Sequence, residues 1–90
     1  MTNERHVRDF MWAVYEIGKK KRGWAGAGEI MPHLGLDPQN LTNEADDFYM
    51  SVAQRCEERC YIDKEKNADM YRAVKITECG KRYVKRVMEL

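Results

Sequence analysis

The sequence predicts one small α+β domain, three or four helices around a single short β-hairpin. Three observations predict it. Apolar residues recur at helical spacing in several separate stretches of the chain. Between the last two helical stretches, the alternating run Tyr71 to Ile76 faces Tyr61-Ile62 across the polar loop DKEKNAD, the pattern of two strands and a long tip. Finally, 90 residues with 43% hydrophobic and 34% charged side chains suffice for one modest core under a charged surface, and for no second core.

Taken in order, Val7, Phe10, Met11, Val14 and Ile17 define an amphipathic helix over residues 4–21, with Asn3 as its N-cap and Lys19, Lys20, Lys21 and Arg22 at the end where the helix dipole favours cations. Gly23 stops it, and GWAGAG reads as a turn with a few extended residues around Trp24. Ile30, Leu34 and Leu36 predict a short second helix, limited by Pro32 and ended by Gly35. Asp37-Pro38 is a turn, after which Thr42 caps a long third helix. Leu41, Ala45, Phe48, Val52 and Cys56 fall on its core side, and Asp46, Asp47, Met50, Gln54 and Glu57 on the other. After the hairpin, Thr77 caps a last helix with Gly80, Tyr83, Val84 and Val87 as one stripe and Lys81, Arg82, Lys85 and Arg86 as the opposite one.

No apolar run approaches the roughly 18 to 20 residues of a membrane span, and the charged start MTNERHVRD is unlike a secretory leader, so a cytoplasmic protein without membrane contact is expected. The net charge of +1 gives no global attraction to a polyanion. Both ends are basic, whereas residues 43–60 carry Glu44, Asp46, Asp47, Glu57 and Glu58 against Arg55 and Arg59. There is no Ser/His/Asp set, no phosphate loop and no dinucleotide fingerprint, so neither an enzyme nor a bound cofactor is expected. Cys56, Cys60, Cys79, His6 and His33 are ligand types for a metal or a thiol switch. The spacing is not that of a zinc knuckle, and free, structural thiols with no metal site are the expectation.

The segment CEERCYI looks like the end of a recognition helix running into a first wing strand, and YRAVKITECGKRYV resembles a second wing strand followed by a Thr-Glu-x-Gly helix start. Together with the order helix, helix, helix, hairpin, helix, these residues resemble the winged helix-turn-helix domain of MarR-like and PadR-like regulators. The likeness covers residues 56–90, and residues 1–90 then form a single winged-helix domain. Cys60 stands where that pattern carries glycine, and the third helix opens with acids that phosphate would repel.

The resemblance implies a transcriptional regulator that binds double-stranded DNA as a homodimer. Tyr49, Ser51, Gln54 and Arg55 would approach DNA from the third helix and Lys64, Lys66 and Arg72 from the wing. Trp12, Tyr15, Val84, Val87, Met88 and Leu90, on the first and last helices, would form the dimer. The alternative is a winged-helix module that binds a protein partner, for which the acidic third helix is the best argument. The run of residues 19–22 and the basic stripe of the last helix read either as phosphate contacts or as solvated helix surface.

Overall fold

A computed structural model describes residues 3–21, 23–65 and 71–89. It is an α+β fold of four α-helices and a three-stranded antiparallel sheet. Helix α1 spans Glu4–Lys20, and the Asn3 carboxamide oxygen accepts the His6 backbone N–H at 3.1 Å, satisfying one of the first-turn donors. Its stripe of Val7, Phe10, Met11 and Val14 is buried. This helix is the spine of the domain, packing against the later long helices and against the sheet. Gly23, at φ +95°, turns the chain back so that its N–H donates to the Gly18 carbonyl at 2.8 Å.

Strand β1 (Trp24–Gly26) follows, then α2 (Ala27–Ile30), which continues as a 3₁₀ turn over Met31–Leu34. Pro32 sits near the start of that turn, where its missing N–H is harmless, and Gly35 ends it in the left-handed conformation at φ 78°. Helix α3 covers Asn43–Glu58, capped by the Thr42 hydroxyl, which accepts the Ala45 N–H at 3.1 Å. Strands β2 (Ile62–Lys64) and β3 (Ala73–Ile76) form the expected hairpin, with Ile62 opposite Ile76 and Lys64 opposite Val74. Helix α4 (Glu78–Val87) is capped by Thr77. Phe10, Met11, Ile30, Tyr49, Val52, Val74 and Val84 fill the core between the helices and the inner side of the sheet.

Four expectations are corrected. The sheet is larger than a single hairpin, because the extended residues expected around Trp24 form a third strand: β1 pairs antiparallel with β3, Trp24 opposite Lys75 and Ala25 opposite Val74, in the order β1-β3-β2. Three residues, two of them small, carry no period of their own, and their hydrogen-bond partners lie far along the chain. The core side of α3 is centred on Tyr49, Val52, Ala53 and Cys56, while Leu41 is 40% exposed. Tyr49 therefore cannot reach DNA: it is 1% exposed, and its hydroxyl is spent on a backbone carbonyl of the same chain. Val84 is likewise an internal residue, 1% exposed, and cannot form a surface for a second copy. No helix among the described residues is long and apolar enough to cross a membrane.

Candidate functional site

The sequence-derived site lies where α3 meets the hairpin, and three local devices build it. At the end of α3 the Cys60 N–H donates to the Glu57 carbonyl at 2.9 Å and the Tyr61 N–H to the Cys56 carbonyl at 3.0 Å, the two bonds of a Schellman turn. Cys60 takes the left-handed position of that turn at φ 64°, which glycine fills most easily. The turn aims the chain into β2. Thr77 then ties three elements together: its hydroxyl donates to the Cys60 carbonyl at 2.6 Å and accepts the Gly80 N–H at 3.0 Å, and its own N–H donates to the Tyr61 carbonyl at 3.0 Å. Gly80 is required at that junction because a Cβ there would collide with the Tyr61 carbonyl, Ile76 and Met11.

The third device holds the hairpin against α3. The Tyr49 hydroxyl donates to the Tyr71 carbonyl at 2.6 Å, the Tyr71 hydroxyl donates to Glu57 Oε1 at 2.8 Å, and Lys64 Nζ stands 3.9 Å from Glu57 Oε2 and 5.1 Å from the Tyr71 ring centroid. Burial and the Glu57 carboxylate push the Tyr71 phenol up to about 12. This chain of contacts joins groups inside and at the edge of the core, so the loop end of the paired strands is fixed to α3.

Of the DNA-contact candidates, Ser51, Gln54 and Arg55 are exposed and line one shallow depression with Glu58. Arg72 is exposed, and its carbonyl accepts the Ala27 N–H at 2.7 Å, leaving the side chain to solvent. Lys64 is half-buried and shares its charge with Glu57. Lys66 lies outside the described residues. Arg59 is committed to Glu4 across α1, and that guanidinium, hydrogen-bonded to it, holds the Glu4 carboxyl below the usual range. Around these groups stand Glu44, Asp47 and Glu58, all exposed, so the outer face of α3 is acidic apart from Arg55. The acids of the first turn, Glu44 and Asp46, complement the helix dipole.

Of the dimer candidates, Trp12 and Tyr15 are half-buried and stacked on each other at 5.9 Å, Val87 is 37% exposed, and Met88 packs onto the core margin. Leu90 lies outside the described residues. All three cysteines are free, Cys56 buried and Cys60 and Cys79 exposed. Among the described residues no group of three or more His, Cys, Asp or Glu side chains is placed to hold a metal ion.

A second group of basic side chains lies elsewhere. Lys19 of α1, Lys75 of β3 and Lys81 of α4 line one cleft together with Tyr15, Gly18, Gly23 and Ile76. Lys21, by contrast, is paired with Glu29 at 2.8 Å. Of these residues the sequence singles out Lys19 and Lys81 only as members of basic helix surfaces; Lys75 carries no signal, because only the β1–β3 pairing brings it to the end of α1. Compared with protein-family models, curated proteins and solved structures, the chain matches none of them.

Proposed function

We propose that this protein is a winged-helix regulator that binds double-stranded DNA as a homodimer. The observation that carries the reading is the fixed attachment of the hairpin to α3 through Tyr49, Tyr71, Glu57 and Lys64. It joins a wing-like β2–β3 unit to the helix that exposes Ser51, Gln54 and Arg55, in the element order helix, strand, helix, helix, hairpin, helix. On this reading Gln54 and Arg55 approach base edges, and Lys64 and Arg72 approach phosphates from the wing. The dimer forms through Trp12, Tyr15 and Val87, which leave apolar surface uncovered at the two helical ends of the chain. The reading implies a cytoplasmic protein.

A second reading, a winged-helix module that binds a basic protein surface, is favoured by one observation: Glu44, Asp47 and Glu58 are all exposed on α3, and Glu57 draws on the charge of Lys64. The two readings part on a single experiment. Fluorescence anisotropy with labelled duplexes of mixed sequence, at low salt where the electrostatic contribution is largest, is expected to show binding. Lys64→Ala and Arg72→Ala are expected to weaken it for every sequence and to lower the salt slope by about 1 each, while Gln54→Ala and Arg55→Ala change the preference among sequences. No binding of the wild-type chain at low salt rejects the DNA reading in favour of the protein-binding one.

A further inference from the structure

We propose that the cleft between the end of α1, the outward side of β3 and the start of α4 is an anion site that takes a phosphate group. It is separate from the α3–hairpin surface, none of whose candidate residues lines it, and it does not depend on the DNA reading.

The cleft has a volume of about 310 Å³ and is lined by Lys19, Lys75 and Lys81 from three different elements, with no carboxylate in its lining. Each lysine is placed by a specific feature. Lys19 Nζ sits 4.2 Å from the centroid of the Tyr15 ring, one helical turn earlier, which keeps the ammonium at the cleft wall. Lys75 lies across Gly23: a Cβ at that position would stand 3.1 Å from its Cε, so the glycine leaves the path along which the lysine stem runs. Lys81 projects from the first turns of α4 beside Glu78, 3.4 Å away, and both side chains are substantially exposed, so that pairing is weak.

With Glu78 beside Lys81 and Asp63 opposite Lys75 across the β2–β3 pair, both outside its lining, the cleft itself is lined by three lysines and no carboxylate, an arrangement that favours an anion. A phosphate monoester carries about −1.5 to −2 at neutral pH and offers three acceptor oxygens, one for each lysine of the lining. The carbonyl of Gly18, which lines the cleft, is engaged by the Gly23 N–H at 2.8 Å. The phosphate can belong to a small molecule or to a nucleic-acid backbone, and the chemistry of recognition is shared.

The test uses the whole chain and inorganic pyrophosphate at low ionic strength, followed by backbone amide NMR, with duplex DNA as the second probe. Saturable shifts are expected at Gly18, Gly23, Lys75 and Lys81. Lys75→Gln and Lys81→Gln should each weaken the affinity roughly tenfold, since each removes one charge-assisted hydrogen bond, while Arg8→Ala, at an exposed position on α1 outside the cleft, leaves it unchanged. If the same lysine variants also weaken DNA binding and pyrophosphate competes with DNA, the phosphate is that of a nucleic acid. If DNA binding is absent, or is indifferent to these variants, while pyrophosphate still saturates, the ligand is a small phosphate. The proposal is overturned if neither pyrophosphate at millimolar concentration nor DNA produces saturable shifts at these amides, or if the shifts persist unchanged in the Lys75→Gln/Lys81→Gln double variant.

Discussion

The hydroxyl of Tyr49, on the core side of α3, donates a 2.6 Å hydrogen bond to the backbone carbonyl of Tyr71, which leads into β3. The bond solves two problems at once. It lets a phenol sit in the core with its polar atom satisfied, and it gives a buried carbonyl at the loop end of the paired strands its partner.

Tyr49→Phe keeps the ring and removes the donor, leaving the Tyr71 carbonyl buried and unpartnered. A loss of about 1–3 kcal/mol is expected in urea denaturation. Tyr71→Phe breaks only the partly buried bond to Glu57 and should cost no more than about 1.5 kcal/mol. Equal, small effects from the two variants would show that the buried bond is not what fastens the hairpin.

Cys60 occupies a left-handed position at φ 64°, where an L-residue pays a conformational cost that glycine avoids. Cys60→Gly is expected to stabilise the protein by about 0.5–1 kcal/mol and Cys60→Val to destabilise it, because a β-branched side chain suits that conformation worst. Thermal melting of the pair checks the order, and a Gly variant less stable than wild type contradicts the assigned turn.

At Gly80 a Cβ would meet the Tyr61 carbonyl, would stand 2.7 Å from Ile76 Cγ1 and 2.9 Å from Met11 Cε, and none of these neighbours can move without disturbing the sheet, the turn or the core. Gly80→Ala should therefore destabilise by about 3 kcal/mol or prevent folding, although alanine is the better helix former. Gly28→Ala, in α2 and with only ordinary contact to Pro38, is the control and should change stability little. A folded Gly80→Ala protein of wild-type stability would refute this account of the junction.

Burial holds the protons on Tyr49, Tyr71 and Tyr83 above the ordinary phenol range. Because the folded state binds these protons more tightly than the unfolded chain does, their contribution is complete below about pH 10, where the unfolded phenols remain protonated. It is lost as pH rises through the higher folded-state values. Stability measured by denaturant titration should fall from about pH 10 upward, and the fall should be shallower in Tyr49→Phe. A flat profile across that range would contradict the burial of these rings.

The Cys56 thiol is buried, and burial pushes it up to about 12, whereas Cys60 and Cys79 are exposed. An aromatic disulfide reagent at neutral pH should titrate two thiols in the native protein and the third only after unfolding. Prompt reaction of all three would place Cys56 at the surface.

Short-range features of this chain could be read from its residues because their causes are local. Asn3, Thr42 and Thr77 each supply a side-chain oxygen to a donor three residues on, and each caps the helix expected of it. Gly35 ends its turn in the left-handed conformation, and the alternation of Tyr71 to Ile76 reports a strand whose partner lies just across a loop. What depends on distant partners was not legible. Strand β1 exists because β3 offers it hydrogen bonds, and Tyr49 enters the core in place of a surface role because the Tyr71 carbonyl waits there for a donor. The same holds for the candidate sites. Helical period alone places Gln54 on the outside of α3, and the resemblance to winged-helix regulators adds Ser51 and Arg55. That Glu57 would draw on the charge of Lys64, and that Lys19, Lys75 and Lys81 would share one cleft, was decided by tertiary packing, because charges interact through the space between side chains and not along the sequence that separates them.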